Sequence, residues 1–173
     1  EVTLKGLRLD SIQGDKECIE IFKRFGADIT ENNNSITVKA NKLNGINIDA
    51  TQIPDLVPIL AVTATFANGT TDIYGAERLR IKESDRLNAI CTCLNAIGAD
   101  VTEKPDGLII KGVDKAIGGK VDGFNDHRIV MSMAMAVEKC TSAIEITDRE
   151  SINKSYPNFF NDYRNIMGKA EEI

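Results

Sequence analysis

Apolar residues recur at helical spacing in two stretches separated by a constant interval. Cys18, Ile21, Phe22 and Phe25 match Ile90, Cys93, Leu94 and Ile97. Both sets fall at i, i+3, i+4 and i+7, the pattern of one core-facing helix stripe. Each stretch stops at a glycine, Gly26 or Gly98, where a left-handed residue closes a helix at little cost. Gly26-Ala27-Asp28 returns as Gly98-Ala99-Asp100, a shift of 98 − 26 = 72. After each glycine two short strand-like runs flank a polar turn. The runs are 27–30 and 35–39 around 31–34, then 99–102 and 107–111 around 103–106, and both pairs read as hairpins. A second pair of helices is expected over 55–66 and 126–137, followed by strands at 70–74 and 141–147. The tail, 157–167, carries Phe159, Tyr163 and Ile166 on one helical face, and the first fifteen residues read as the end of another unit.

The repeating pattern is therefore roughly β-α-β-β-α-β, present about twice. The chain is expected to be one domain over 1–173, with two near-complete units at about 16–80 and 85–150 and parts of a third. Such a unit cannot cover its own apolar faces. Helices as apolar as Ile129-Val130-Met131-Ser132-Met133-Ala134-Met135 should share a core beneath the sheets, with all three methionines inside. The fold class that follows is α/β with pseudo-symmetry, sheets arranged around a common helical core.

Composition narrows the possible functions. Of 173 residues, 42% are hydrophobic and 27% charged, the ordinary globular balance. The longest apolar run, 56–67, is interrupted by Pro58, Thr63 and Thr65, so no membrane-spanning helix is expected. A net charge of −5 withholds the electrostatic term on which nucleic-acid binding depends. Cys18, Cys91, Cys93, Cys140 and the single His127 are too few and too scattered for a zinc site. They read as reduced thiols of a cytoplasmic protein. The chain opens on Glu1 in mid-strand style and reads as part of something longer.

Ionisable residues gather where helices should begin. Asp55 reads as an N-cap, and Asp126 aligns with it, placing Arg128 in the first turn; Ser84 or Asp85 reads as the next cap, followed by Arg86. A cation in a first helical turn costs about 0.3–1 kcal/mol against the helix dipole. Two such arginines, with Lys82 and Lys154 just ahead of helices, make sense if an anion sits among them. Taken singly, each has a plainer reading: Asp55 as a cap, Arg86 as a surface residue paired with Glu83 or Asp85, His127 as structural. The joint pattern points further, because related units would bring these edges to one face. Gly118-Gly119-Lys120 mimics part of a P-loop but lacks the required first glycine and the Ser/Thr after the lysine.

Lys82-Glu83-Ser84-Asp85-Arg86-Leu87, then Asp126-His127-Arg128, then Asn153-Lys154-Ser155-Tyr156-Pro157 with Phe159-Phe160, and Ile53-Pro54-Asp55 ahead of a helix, together resemble the EPSP synthase family. The related UDP-N-acetylglucosamine enolpyruvyl transferases share the fold but not this combination. The resemblance implies domains built of β-α-β-α-β-β units. It implies attack of the 5-hydroxyl of shikimate 3-phosphate on C2 of phosphoenolpyruvate, with no metal or organic cofactor. By motif position Asp55, Glu83 and Lys154 would be catalytic, and Lys82, Arg86, Arg128 and His127 would bind substrate. The phosphate-binding Lys-Ser and Ser-Asn-Arg stretches of the family's other domain are absent. An N-terminal domain absent from the sequence is therefore the expected partner, and this part alone is expected to be inactive. Two alternatives stay open: transfer to a nucleotide sugar, and a non-catalytic anion-binding domain of the same fold.

Overall fold

A computed structural model describes residues 1–8, 10–39 and 41–167. The order along the chain is β1 (Val2–Lys5), α1 (Cys18–Phe25), β2 (Asp28–Asn32), β3 (Ser35–Lys39), β4 (Asn47–Asp49), α2 (Val57–Thr65) and β5 (Thr70–Tyr74). There follow α3 (Arg86–Ala96), β6 (Asp100–Lys104), β7 (Gly107–Lys111), β8 (Gly119–Val121), α4 (His127–Ala136), β9 (Ile144–Ile146) and α5 (Phe159–Met167). The α-β-β-β-α-β series from α1 to β5 thus recurs from α3 to β9.

Both hairpins form where the pattern places them, with tighter turns. β2 pairs with β3 up to Asn32 opposite Ser35, and β6 pairs with β7 up to Lys104 opposite Gly107. The helices before them end at Gly26 and Gly98, with φ of +108° and +93°. Three sheets result. β1-β3-β2 is antiparallel, β4-β5-β7-β6 is mixed, and β8-β9 is a parallel pair. The four-stranded sheet contains a parallel crossover, β4-α2-β5, followed by α3 and the β6–β7 hairpin. Between Asn47 and Lys111 the hydrogen-bonded unit is therefore β-α-β-α-β-β.

The strands β4 and β8 are absent from the sequence reading. At three residues each they are too short to show a two-residue period, and parallel pairing beside β5 and β9 creates them. β8 contains the Gly119-Lys120 pair of the false P-loop, now accounted for as strand.

The core lies between the sheets and the helices. α2 is apolar on every side, with seven of nine residues buried, and it packs against α3 and α4. Leu60, Ala61 and Val57 of α2 join Leu87, Ile90 and Leu94 of α3 and Ile129 and Met133 of α4 in one cluster. Met133 is buried as expected, Met131 is half-buried, and Met135 is exposed. Met135 therefore corrects the expectation of a three-methionine core: it falls on the outer side of α4. Among the described residues no helix is long and apolar enough to cross a membrane.

Four chain segments carry the candidate chemistry, and each follows the carboxyl end of a parallel-paired strand. Residues 50–56 follow β4, 75–86 follow β5, 122–128 follow β8 and 147–154 follow β9. In open α/β architectures this is the side on which ligands bind.

Candidate active site

Arg86 is the first residue of α3, capped by Asp85, whose carboxylate accepts from the amide of Asn88 at 3.2 Å. Its side chain turns inward and is 1% exposed. Burying a guanidinium is costly without partners, and three carboxylates supply them. Nε donates to Asp126 Oδ2 at 2.7 Å, and one terminal nitrogen donates to Asp55 Oδ1 at 2.9 Å. The other terminal nitrogen donates to Glu83 and, at 3.3 Å, to Asp126 Oδ1. The surface reading of Arg86 is thereby excluded. Burial alone would depress its pKa, but Asp126, Glu83 and Asp55 more than reverse that.

Asp126 is the floor of the site. It is fully buried and caps α4 by accepting from the amide of Arg128 at 3.0 Å. Ser84 Oγ also donates to it at 3.0 Å. Burial would raise its pKa, yet its bonds to Arg86 and to the α4 and Ser84 donors hold it below the usual carboxylate range.

Asp55 corrects an expectation. It sits in a short 3-10 turn, Pro54–Leu56, and α2 begins after Leu56 with no side-chain cap. Freed from capping, its carboxylate meets Arg86, Arg128 Nη2 at 3.0 Å and Lys82 Nζ at 3.4 Å. Its carbonyl also accepts from Arg128 Nη1 at 3.2 Å. Partial burial pushes its pKa up, but Arg128, Lys82 and Arg86 together hold it below the ordinary value. Asp55 is 32% exposed and Arg128 31%, so this pair forms the solvent-facing rim.

His127 lies behind Glu83, with Nδ1 3.7 Å from Glu83 Oε1. That nitrogen is buried and has no hydrogen-bond partner among the described residues. Burial lowers the His127 pKa, and Arg128 and Arg86 reinforce this against Asp126 and Glu83. Lys154 ends the 3-10 segment Arg149–Lys154 and donates to the carbonyl of Asn125. The structure thus brings Asp55, Lys82, Glu83, Arg86, His127 and Arg128 together directly, with Lys154 held against the loop leading into α4.

Two contributors, Asn125 and Asp148, escape the sequence reading, and a third, Ser84, enters it only as a candidate cap. Ser84 bonds Asp126 rather than capping α3. Asn125 offers its carbonyl to Lys154, while its own amide donates to Asp148 at 3.0 Å. Asn125 and Asp148 have φ of +48° and +52°. Asn and Asp tolerate this region better than most residues, but that preference alone did not mark them. Chemically, the arrangement combines four cations, three carboxylates and two helix N-termini at one end of the fold. Among the described residues no group of three or more His, Cys, Asp or Glu is placed to hold a metal.

Comparison with known proteins shows the family and the fold. Residues 1–163 match the family model described as EPSP synthase (3-phosphoshikimate 1-carboxyvinyltransferase). A 3-phosphoshikimate 1-carboxyvinyltransferase of Clostridium novyi (strain NT) is 52% identical over 96% of this chain and 38% of its own length. The chain spans about two fifths of the length of the curated relatives it matches. Among solved structures, EPSP synthase from Acinetobacter baumannii superposes with a TM-score of 0.84 at 33% identity, covering 95% of this chain and 41% of that one. The enolpyruvyl transferase NikO from Streptomyces tendae, at 16% identity and a TM-score of 0.74 over 95% of this chain and 38% of that one, shares the fold.

Proposed function

Because this chain belongs to the EPSP synthase family, we propose that it supplies one wall of a site that transfers the enolpyruvyl group of phosphoenolpyruvate to the 5-hydroxyl of shikimate 3-phosphate. The observation that carries this reading is the meeting of Arg86 and Arg128 on Asp55, with Glu83 on the same Arg86 guanidinium. A domain that only bound phosphate would gain nothing from two carboxylates among its cations. Proton transfer at two atoms of a substrate needs both.

In this reading Arg128, Lys82 and Lys154 present positive charge at the rim, and Arg86 holds Asp55 and Glu83 from below. Phosphoenolpyruvate carries a phosphate and a carboxylate, so planar guanidinium donors and ammonium groups suit it. Asp55, held ionised by its neighbours, accepts the proton of the attacking hydroxyl as oxygen bonds to C2. Glu83, as the acid, delivers a proton to C3. The tetrahedral adduct then returns a proton from C3 to the Glu83 carboxylate and expels phosphate, which carries off the proton held by Asp55, restoring the double bond. Lys154 assists at the phosphate, and His127 stands behind Glu83. The product is EPSP plus phosphate, and the sequence of bonds needs no cofactor. Since the chain spans about two fifths of its relatives' length, the opposite wall, with the remaining anion ligands, comes from residues outside it.

The test is a chimera in which this chain replaces the matching stretch of the Clostridium novyi relative. It should release phosphate from shikimate 3-phosphate and phosphoenolpyruvate together, and from neither alone. In that chimera Glu83→Gln should lower kcat by about 10²–10⁴-fold, with a smaller change in KM. A folded chimera without turnover, or an unchanged kcat in the variant, would overturn the assignment.

A further inference from the structure

Lys82, Glu83 and Ser84 all reach the site, yet they lie in a stretch with no regular secondary structure between the 3-10 turn Glu77–Ile81 and α3. Three adjacent residues cannot aim at Asp55, Arg86 and Asp126 from a loose loop without loss of orientation. Something must close that loop, and the structure shows what does. Arg80 stands two residues before it, in the 3-10 turn, and Asp85 immediately after. The two are joined through Arg80 Nη1, which donates to Asp85 Oδ1 and Oδ2 at 3.2 and 3.0 Å.

The same guanidinium fastens this closed loop to the β6–β7 hairpin. Nη1 also donates to Glu103, Nη2 donates to the carbonyl of Lys104 at 2.7 Å, and Nε donates to the carbonyl of Pro105 at 3.2 Å. Glu103 in turn accepts from Asn88 of α3 at 3.3 Å. Arg80 is 27% exposed, so its charge is not buried, but every nitrogen of its fork is occupied.

We propose that Arg80 is a positioning residue for this site: by stapling both ends of the 82–84 loop to each other and to the β6–β7 turn, it sets where Lys82, Glu83 and Ser84 point. Arg80 touches none of the reacting groups. It acts through Asp85, which caps α3 beside Arg86, and through the backbone of the loop. A lysine cannot replace it, because one ammonium has neither the planar fork nor the reach to two carbonyls and two carboxylates at once. The catalytic part of this inference rests on the functional reading above.

The experiment has two arms. In the active chimera, Arg80→Met should lower kcat by about 10–100-fold, the cost of a small misplacement of a catalytic group. Arg80→Lys should recover only part of it. Lys104→Met is the control. Lys104 is similarly exposed, at 23%, and its side chain pairs with Asp72 of β5; only its carbonyl, which the substitution keeps, meets Arg80, so kcat should stay within about twofold. Combined with Glu83→Gln, Arg80→Met should add less than about threefold, because the two act on one loop. Multiplicative losses, or an equal loss from Lys104→Met, would reduce Arg80 to a stabilising contact and overturn the proposal.

The second arm needs no activity. In the 173-residue chain itself, amide hydrogen exchange over 81–88 should accelerate in Arg80→Lys while α2 stays protected. Unchanged exchange there would overturn the staple, even if the chimera proved inactive and the functional reading failed separately.

Discussion

Asp55 and Asp126 occupy equivalent places in the two repeats, 126 − 55 = 71 residues apart, each just before a buried helix and each bonded to Arg86. Their surroundings have made them different groups. Asp126 is sealed under Arg86, caps α4 and takes a third donor from Ser84. Asp55 stands one residue further from its helix, caps nothing and faces Arg128 and Lys82 at the rim. One carboxylate is locked into the fold and the other keeps a solvent-facing edge. Repetition supplies the backbone position; burial and the presence or absence of a cap decide the use.

Asp126→Ala gives the largest expected effect. It strands the Arg86 guanidinium in the interior without its main partner and removes the α4 cap, and breaking a buried pair typically costs 3–5 kcal/mol. Against a usual total of about 5–15 kcal/mol, the denaturant midpoint should fall steeply. A midpoint within experimental scatter of the parent would show that Arg86 is not held as described.

Asp55→Asn should do the opposite. Arg128 and Lys82 are part-exposed, and buried Arg86 keeps Asp126 and Glu83 and can still meet the amide oxygen, so stability should change by no more than about 1 kcal/mol, while kcat in the chimera falls by at least about 100-fold for want of a proton acceptor. If Asp55→Asn unfolds the protein as badly as Asp126→Ala does, the distinction between the two carboxylates is lost.

The smallest expected effect is in the pH dependence. Asp55 and Asp126 both have folded pKa values below the ordinary one. The unfolded chain therefore binds more protons than the folded one in acid. Their stabilisation is complete above about pH 3.9, the unfolded value, and is lost as pH falls through the depressed folded values. His127 is also depressed, so its contribution is complete above about pH 6.5 and declines as pH falls below that. Denaturant midpoints measured from pH 8 to pH 3 should show a shallow decline below 6.5 and a steeper one below 4. His127→Gln should flatten the first step and Asp55→Asn part of the second. A decline below pH 6.5 that survives in His127→Gln would assign it to another group.

Much of this was legible in the residues themselves. Helical spacing, terminal glycines and the polar turns between strand-like runs are local signals. They located α1, α3 and both hairpins to within a residue or two, and they exposed the repeat. The ionisable residues ahead of the helices, taken jointly, marked the right edge of the fold.

What local signals could not show depends on partners distant in the chain. Three-residue strands such as β4 and β8 exist because β5 and β9 lie alongside them. Asp55 looks like a cap in sequence, and only the arrival of Arg86 and Arg128 from 31 and 73 residues away turns it to the rim. Arg86 looks like a surface arginine until Asp126 is packed over it. Met135 shares its helix with buried Met133, but the neighbours of α4 decide which side is outside. Arg80 carries no motif at all, and its role lies in the two carbonyls and two carboxylates that the hairpin and α3 bring to it. Backbone preference is written residue by residue along the sequence. Burial and ion pairing are properties of what the fold places opposite, and only the tertiary structure decides them.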